Sequence, residues 1–545
     1  MNKTMKYLSI ASIVLAGAMI LGCSQEDLPN LQPETPSGNV VIRTATISME
    51  GEEPTRALTE NGVKTFKTGD KIAVVYEKTN EVFAKAVATL TAEDIMDEGK
   101  SATITVTLTN PKTDGIVKYV YPDDMTWDNG NENLDGLYNE QDGTLDKIAR
   151  NYDYAKFEGK LNGLELPTGT LKNQLAICKF TIKDGNGTDI TRQLTRLTIK
   201  NGTDVYYINT SSLNNIWVAL KPITSGNINI YAAETWKLYK KTVTSNTTLA
   251  ANTLTPITVT APVVQGALSG LFSVNDSHEL VYFSQGNLQA TYNKSSFVWD
   301  TWNFAKYQHE FVNKDFIHIY DPREGEKIDL FGRSSWTHAA GSNNYGIDES
   351  GDDIDYAGDF LDWGTLNIQN GGGENKWRTL SKSELNYLLN FRLSGTAVAG
   401  VLAARYMRVQ LGAAQDNIKG IVLFPDHYIL PTLEHSTINE SDINQENTPG
   451  VILHWKDWGK MEAAGAVLLP CAGYREGESV RLKSNDYPAG VYWTSTDGGG
   501  HVLQYLGIRF DMSKYENGYY PLEFVANSRS SGYSVRLIGP GSANH

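Results

Sequence analysis

Short stretches in the first half of the chain alternate hydrophobic and polar residues. The period of two is clear over residues 102–108, where threonines separate apolar residues, and again over residues 194–199. Alternation of this kind is typical of antiparallel strands with one face on a core and the other in water. We therefore predict half-buried β-strands with a solvent-exposed face at both places.

Turn-forming residues punctuate the region between residues 39 and 260, where no long helical period occurs. The turn signals are Asn80-Glu81, Asn110-Pro111, Asp184-Gly185-Asn186-Gly187 and Asn201-Gly202. Many short strands with regular turns predict a mainly β fold. We expect one β-sandwich, or two in tandem, over residues 39–262.

The second half of the chain has a mixed pattern with long loop-like stretches. Residues 381–389 predict a helix, because their leucines fall on one face. Ser381 caps the start of this helix, and Glu384, three residues later, completes a capping box. Residues 398–408 fit a short helix or a strand. We therefore expect mixed α+β structure in this half.

A change of composition marks the junction between the two halves. Only three of the 11 tryptophans precede Gln265, and glycine clusters occur at residues 371–373 and 498–500. We therefore place a domain boundary near Gln265, between a first domain at residues 39–262 and a second at residues 266–545.

The N-terminus carries a targeting pattern. A basic start precedes an apolar segment at residues 7–21, which is shorter than the about 20 apolar residues of a spanning helix and matches a secretory signal. The run Ile20-Leu21-Gly22-Cys23 resembles the lipobox of bacterial lipoproteins, in which the cysteine thiol is acylated and begins the mature protein. The resemblance implies a signal peptide at residues 1–22 and lipidation at Cys23. An ordinary signal peptide, or a membrane helix ending in cysteine, is the alternative.

The residues after Cys23 suit a surface lipoprotein. Residues 23–38 are polar and proline-rich, which favours a flexible tether. The acidic residues Glu26 and Asp27 resemble the surface-export signal of Bacteroidetes lipoproteins. We expect the protein at the outer membrane, on the cell surface.

Composition and charge exclude several classes of protein. Hydrophobic residues make up 40% of the chain and charged residues 20%, which excludes disorder throughout. The net charge of −15 argues against nucleic acid as a partner and against electrostatic attachment to anionic lipid. The membrane link is therefore expected to be the lipid alone.

Two cysteines remain when Cys23 is acylated. Cys178 and Cys471 are far apart in sequence, in different predicted domains, and each lies in an apolar stretch. No Cys-x-x-Cys pair or Cys/His cluster suggests zinc. We predict that both are core residues without a disulfide.

The first domain resembles the fimbrillin family of Bacteroidetes, the subunits and accessory proteins of a pilus. The resemblance rests on the order of several short segments along the chain. These are Thr55-Arg56-Ala57, Phe66, Gly69-Asp70-Lys71-Ile72-Ala73-Val74, Tyr119-Val120-Tyr121-Pro122, Gln141-Asp142-Gly143-Thr144-Leu145, Tyr152-Asp153-Tyr154 and Leu175-Ala176-Ile177-Cys178-Lys179-Phe180-Thr181-Ile182. A generic secreted β-sandwich is the alternative.

The fimbrillin resemblance implies assembly by donor-strand exchange with other pilin subunits. In that family, proteolysis after an arginine frees an N-terminal segment, and an incoming strand fills the groove. The resemblance implies that Arg56 is the processing site, with Arg43 as the fallback. An ordinary surface arginine is the alternative for Arg56.

The second domain resembles the major paralogous-type domain of Fibrobacter succinogenes, with a formylglycine-generating-enzyme or C-type-lectin-like fold. The matching segments span nearly the whole domain. They include Val281-Tyr282-Phe283-Ser284-Gln285-Gly286-Asn287-Leu288, Trp377-Arg378-Thr379-Leu380-Ser381, Gly420-Ile421-Val422-Leu423-Phe424-Pro425-Asp426, Tyr492-Trp493-Thr494-Ser495-Thr496 and Gly532-Tyr533-Ser534-Val535-Arg536-Leu537-Ile538. This resemblance implies a fold rather than a site.

No catalytic motif stands out in the sequence. Formylglycine-generating enzymes need a reactive cysteine pair, and this domain has only Cys471. The chain lacks a Gly-x-Ser-x-Gly elbow, an HExxH motif and the calcium tripeptides of sugar-binding C-type lectins. We expect no enzyme and no cofactor. Two carboxylates facing each other across a cleft of the second domain would reopen the enzymatic hypothesis.

An acidic stretch at residues 348–355 is the candidate ligand region. It lacks EF-hand spacing, so calcium has no supporting motif. Aromatic residues flank it, and rings near carboxylates are typical of carbohydrate-binding surfaces. The alternative is a solvated acidic loop beside core aromatics. The predicted ligand-binding residues are Trp336, Tyr345, Asp352, Asp353, Asp355 and Trp363.

These features together predict a surface-anchored, fimbrillin-like lipoprotein. The large second domain leaves no obvious free C-terminal donor strand, which favours a pilus tip or accessory adhesin over a shaft subunit. Its second domain would bind a glycan or protein ligand on a host or neighbouring cell. The alternative is a surface glycan-binding lipoprotein that serves polysaccharide uptake and is not part of a pilus.

Overall fold

The computed structural model describes most of the chain in separate ranges. These are residues 39–49, 65–123, 127–128, 131–132, 141–152, 154–245, 248–312, 314–319, 321–332, 362–412, 418–446, 448–482, 490–497, 502–508, 522–528 and 531–540. The fold in these ranges is mainly β, as predicted.

In the described residues the first unit contains ten strands. The strands are β1 (Val40–Met49), β2 (Lys71–Glu77), β3 (Phe83–Thr89), β4 (Ile95–Met96), β5 (Ser101–Thr109), β6 (Ile116–Tyr121), β7 (Trp127–Asp128), β8 (Asn131–Glu132), β9 (Ala155–Lys160) and β10 (Gly169–Asn173). Eight of them form one sheet in the order β3-β2-β6-β9-β10-β1-β5-β4, and β7 pairs with β8. The inward side chains of the large sheet share one core.

Strand β5 confirms the alternation predicted at residues 102–108. Ala102, Ile104, Val106 and Leu108 are buried, whereas the threonines between them are exposed or half-buried. The period of two therefore reports correctly which face of β5 meets the core.

Helix α1 (Leu145–Asn151) was not predicted from the sequence. Thr144 caps it, because its side-chain oxygen accepts a hydrogen bond from the Lys147 backbone N–H at 3.1 Å. The helix is only two turns long and buries Ile148, which is too short a pattern for helical periodicity to show.

The second unit is a sandwich of two sheets around a second core. Its strands are β11 (Ala176–Lys183), β12 (Arg196–Asn201), β13 (Asp204–Asn209), β14 (Ile216–Leu220), β15 (Gly226–Glu234), β16 (Lys237–Ser245) and β17 (Leu254–Thr260). One sheet has the order β14-β11-β17 and the other β13-β12-β15-β16. Both sheets contribute to one core, which includes Cys178. In the described residues between 39 and 260, the strands surround two hydrophobic cores, and the choice between one sandwich and two in tandem stays a prediction.

In the described ranges after residue 265 there are twenty short strands and two α-helices. The strands are β18 (Phe272–Ser273), β19 (Leu280–Phe283), β20 (Leu288–Asn293), β21 (Val298–Phe304), β22 (Lys327–Ile328), β23 (Leu330–Phe331), β24 (Arg378–Thr379), β25 (Ala397–Val398), β26 (Val401–Leu402), β27 (Tyr406–Leu411), β28 (Ile418–Leu423), β29 (Val451–Leu453), β30 (Val467–Pro470), β31 (Tyr474–Glu476), β32 (Ser479–Arg481), β33 (Gly490–Asp497), β34 (Val502–Ile508), β35 (Leu522–Ser528), β36 (Tyr533–Ser534) and β37 (Leu537–Pro540). The helices are α2 (Lys382–Asn386) and α3 (Trp455–Ala463).

Four sheets of three or more strands organise this second half. Their orders are β18-β19-β37-β24, β21-β20-β22, β23-β36-β33-β34-β35 and β29-β27-β28-β30. Two-stranded pairs form between β25 and β26 and between β31 and β32. No sheet of the described residues combines strands from both sides of Gln265. The domain limits themselves stay a prediction, because one hydrophobic core crosses this point.

The helix predicted at residues 381–389 is present. The capping box between Ser381 and Glu384 is formed, and α2 continues as one π-helical turn over Tyr387–Phe391. Residues 398–408, for which the sequence fitted a short helix or a strand, contain strand segments and no helix. Helix α3 was missed. Its signals were a capping position at His454 and buried side chains three residues apart at Trp458 and Met461.

The solvent-exposed face predicted at residues 194–199 is wrong. Arg196, Thr198 and Lys200 of β12 are buried, as are the residues between them. The outer face of this sheet packs against the second half of the chain, where Tyr207 and Tyr282 share one core. The alternating pattern correctly predicted a strand. It did not indicate that the second half of the chain covers the polar face of that strand.

A polar joint holds the two halves together. We define it as Arg196, Tyr207, Arg392, Asp426 and His427. The Asp426 carboxylate pairs with the Arg392 guanidinium at 2.8 Å and accepts a hydrogen bond from the Tyr207 hydroxyl at 3.3 Å. Arg196 donates to the backbone carbonyls of Asp426 and His427, each at 3.2 Å. The Tyr207 and His427 rings pack with centroids 4.0 Å apart.

The Asp426 carboxylate is nearly fully buried and needs all of these partners. Its Oδ2 also accepts the Ser273 backbone N–H at 2.8 Å. Arg392 is fully buried, donates to the Phe424 carbonyl at 2.7 Å, and stacks on the Phe272 ring. A buried ion pair is tolerated when the remaining hydrogen-bonding groups of both side chains are satisfied. Removal of one partner leaves the other charge buried without a counterion.

We predict that Asp426→Ala strongly destabilises the protein. Because it leaves the buried Arg392 charge without a counterion, the expected loss in unfolding free energy is about 3–5 kcal/mol. Guanidinium unfolding followed by tryptophan fluorescence measures the loss. The control is Glu158→Ala, which removes a half-exposed carboxylate near Lys118 and Lys156 and should cost under about 1 kcal/mol. Equal midpoints for the two variants would contradict the role of the joint.

We also predict that stability falls with acidification through His427. Burial lowers its pKa from 6.5 to about 4, although nearby Asp426 acts in the opposite direction and Arg196 and His278 reinforce it. The unfolded state therefore binds a proton first, so stability is full above pH 6.5 and is lost as the pH falls toward 4. The loss from this group is roughly 3 kcal/mol. Urea unfolding of wild type and His427→Gln at pH 7 and pH 4.5 tests this, since an equal loss in both proteins would exclude His427 as the cause.

Candidate functional site

Strand β1 is the candidate assembly element of the first unit. It pairs antiparallel with β5 over nine residues, from Val40 opposite Thr109 to Ser48 opposite Ser101. On its other side only its last three residues pair with β10, in parallel. Strand β1 therefore lies between two strands that follow it in sequence, and the described residues form no ladder along most of its second edge.

The inward face of β1 packs on the core of the first unit. Ala45 and Ile47 are buried, whereas Val41, Arg43 and Met49 on the same face are only half-buried. Ile47 fills the space between two small neighbours, Ala102 of β5 and Gly169 of β10. A larger residue cannot replace Gly169, because a Cβ there would lie 2.7 Å from the Phe157 ring. The space between β5 and β10 therefore accommodates one medium-sized side chain of β1, that of Ile47.

The outward face of β1 exposes apolar side chains. Ile42 is 65% exposed and Val40 is also exposed. Farther along, the Thr44 hydroxyl bonds to the Thr105 hydroxyl at 3.0 Å. A role for β1 was not predicted from the sequence. Its inward residues nevertheless follow the period of two that is typical of a strand; they are Val41, Arg43, Ala45, Ile47 and Met49.

Arg43 is a poor protease site in this structure. It lies within the paired part of β1, opposite Val106. Its Nε donates to the Leu164 carbonyl at 3.0 Å and pairs with the Glu165 carboxylate at 2.9 Å. A protease needs an extended segment free of such pairing, so the fallback assignment to Arg43 is corrected.

Most of the predicted functional residues fall outside the described ranges. The structure therefore neither brings them together nor separates them. They are Cys23, Arg56, Trp336, Tyr345, Asp352, Asp353 and Asp355.

Trp363 is a core residue, which corrects its assignment to ligand binding. It is only 1% exposed and joins the largest core of the second half. The neighbouring Asp362 fixes it there, since its carboxylate accepts the Gly364 N–H at 2.8 Å and the Thr379 hydroxyl at 3.0 Å. A ring without an exposed face cannot stack on a ligand.

Both remaining cysteines are free thiols, as predicted. Cys178 is buried and Cys471 is half-buried. Burial raises the pKa of each thiol to about 12, which keeps both protonated and unreactive near neutral pH.

Within the described residues, no three His, Cys, Asp or Glu side chains lie close enough together to hold a metal ion. None of the helices in the same ranges has the length and apolar character needed to cross a membrane.

One pocket of the second half is lined by two carboxylates. It has a volume of about 410 Å³ and lies between the π-helical turn and strands β34 and β35. Glu446 and Glu523 line it, and burial raises the pKa of Glu446. Its other lining residues are mostly apolar. The presence of two carboxylates in a pocket does not by itself identify a catalytic acid and a catalytic base. The expectation that the chain is not an enzyme therefore stays a prediction.

Comparisons with known proteins give only distant likenesses. No protein-family model matches the sequence, and no curated protein matches it. Among solved structures, a candidate cell adhesion protein from Bacteroides uniformis is 14% identical, covers 42% of this chain and 94% of its own, and has a TM-score of 0.25. A candidate cell adhesion protein from Bacteroides fragilis is 12% identical, with 44% and 96% covered and a TM-score of 0.22.

A third likeness is to a streptococcal ancillary pilin. It is 9% identical, covers 53% of this chain and 83% of its own, and has a TM-score of 0.17. Scores of this size are too low to assign this chain a shared fold or role. The resemblances to fimbrillins and to C-type-lectin-like domains therefore stay predictions.

We predict that Ile47→Ala loosens β1. Removing buried methyl groups from the seat between Ala102 and Gly169 should cost about 2–5 kcal/mol locally. Hydrogen exchange of the full chain should then show faster exchange of β5 amides. The matched control is Ile42→Ala on the exposed face, expected to change stability by less than about 0.5 kcal/mol. Identical β5 protection in both variants would show that Ile47 does not hold the strand.

Proposed function

We propose that this chain is a surface-anchored, fimbrillin-like lipoprotein that acts as a pilus tip or accessory adhesin. The observation that carries the proposal is the one-sided pairing of β1, which forms nine pairs with β5 but only three with β10 in the described residues. An assembly strand must be held well enough to fold with its subunit and weakly enough to be replaced.

The proposed processing site suits the release of this strand. Arg56 follows Met49, the last residue of β1, by seven positions. Cleavage after Arg56 would leave Ala57 as the new N-terminus and cut the covalent link between β1 and β2. The strand would then be held only by its backbone ladders and its inward side chains.

Loss of β1 would leave a groove that favours an incoming strand. The edge of β5 would expose unpaired backbone groups over nine positions, and its buried residues from Ala102 to Leu108 would meet water. Unpaired edges of this kind bind other strands through backbone hydrogen bonds, and alternate side-chain pockets give specificity. A strand from another pilin subunit would satisfy both needs.

The lipid anchor would then serve for delivery. Cys23 precedes Arg56, so cleavage would separate an acylated N-terminal segment from the folded protein. After processing, strand exchange would retain the protein at the outer membrane surface or in a fimbrium. Without processing, the lipid would remain its permanent attachment.

The position of β37 supports a tip or accessory role. This strand pairs with β19 on one side and with β24 on the other. Its residues Leu537 and Ile538 are fully buried. A strand held in the middle of a sheet cannot donate itself to a neighbouring subunit without unfolding that sheet.

The proposal predicts a preferred cut at Arg56. Limited digestion of the purified full chain with a trypsin-like protease should give a fragment beginning at Ala57, identified by intact mass spectrometry. The variant Arg56→Gln should resist this cut, whereas Arg43→Gln should be cut like the wild type. A chain with no preferred cleavage near Arg56 would falsify the processing step and favour the polysaccharide-uptake lipoprotein.

Exchange is tested on the cut protein. A synthetic peptide of residues 40–49 carrying a fluorophore should bind the processed chain, and it should bind neither the uncut chain nor the Arg56→Gln variant. A peptide with the same composition in scrambled order is the control. Equal binding of both peptides would contradict a specific groove.

A further inference from the structure

We propose that Tyr307, His309 and Trp455 form an aromatic platform that binds an oligosaccharide by stacking against its sugar rings. The proposal deepens the adhesive role given above to the second domain and rests on that role. It does not depend on strand exchange.

The three rings pack together at a partly exposed site. The Tyr307 and His309 rings stack with centroids 5.4 Å apart and planes 10° from parallel, and the His309 and Trp455 rings meet edge-to-face at 4.7 Å and 63°. Tyr307 is 49% exposed and Trp455 is 39% exposed, with half-buried His309 between them. Each of the two outer residues therefore exposes part of its surface to a ligand.

A buried glutamine fixes the first two rings. Gln308 lies between Tyr307 and His309 in sequence and is fully buried. Its amide nitrogen donates to the Ala466 carbonyl at 3.1 Å, and its oxygen accepts the Leu468 N–H and an Arg536 N–H, each at 2.8 Å. These bonds tie residues 307–309 to strand β30 and to the segment that precedes β37.

Helix α3 fixes the third ring. Trp455 is its first residue, directly after the cap at His454. The helix is anchored by buried Trp458 and Met461, and the Asp457 carboxylate accepts the Glu434 and His435 N–H groups at 2.9 and 2.8 Å. Since the rings are held before a ligand arrives, binding loses little conformational entropy.

The surroundings of the platform favour a sugar over a protein. The Lys306 ammonium lies 5.0 Å from the Tyr307 ring centroid, and the Glu310 carboxylate accepts the Lys306 backbone N–H at 3.1 Å. Charged donors and acceptors beside exposed rings suit a ligand that combines apolar C–H faces with hydroxyl groups. A stable protein interface buries about 800 Å² on each partner around an apolar centre, which is larger than three rings with a charged edge.

The charge state of His309 agrees with stacking. Burial lowers its pKa, although Glu310 acts in the opposite direction, so the imidazole is neutral near neutral pH. The chain carries a net charge of −15, which disfavours a nucleic acid on this surface.

The test is oligosaccharide binding by the full chain. An array of oligosaccharides of two to six units identifies a bound probe, and isothermal titration with that probe measures affinity. Tyr307→Ala and Trp455→Ala should each weaken binding about tenfold, and Trp455→Phe should retain part of it. The matched control is Trp236→Ala, which removes a 51% exposed tryptophan from the hairpin between β15 and β16 and should leave affinity unchanged. Thermal unfolding confirms that each variant is folded.

Three outcomes overturn the proposal. The first is the absence of any bound oligosaccharide, and the second is binding that Tyr307→Ala and Trp455→Ala leave intact. The third is Trp455-dependent adhesion to cells whose glycans periodate has destroyed, which identifies a protein ligand. None of them affects the cleavage and peptide-exchange results, so the platform and strand exchange fail or succeed separately.

Discussion

The buried Asp426 carboxylate is the constraint on which the arrangement of the two halves depends. It pairs with Arg392 and accepts a hydrogen bond from Tyr207 across the junction, while Arg196 binds the neighbouring carbonyls. A charge held away from water must keep all of its partners. These bonds fix where the second half contacts the outer face of the sheet formed by β13, β12, β15 and β16, and the apolar core that contains Tyr207 and Tyr282 adds to the same junction.

The two proposed activities lie in different parts of the chain. Strand β1 belongs to the first unit, and the aromatic platform belongs to the second half. The contacts of Arg196 and Tyr207 with Asp426 and His427 join the second unit to that half. Because β1 contributes none of these contacts, its exchange need not disturb the platform.

Sequence reasoning worked where a single short segment contained the whole signal. The alternation of β5, the capping box of Ser381 and Glu384, and the free thiols of Cys178 and Cys471 each depend on near neighbours. It failed where distant segments decided the outcome. Trp363 resembled a ligand-binding ring because acidic residues precede it, yet it packs into a core. The contact between His309 and Trp455 joins residues almost 150 positions apart, so no local pattern indicated it.

The sequence by itself determined the mainly β character and the location of the capped helix, because period and capping are local properties of the chain. Only the tertiary structure decided that the polar face of β12 is buried, that Asp426 joins both halves, and that three aromatic rings meet on one surface. Those outcomes depend on which faces pack together. A buried polar side chain is stable only when it has a hydrogen-bonding partner. Where that partner comes from a distant part of the chain, no local sequence pattern indicates it.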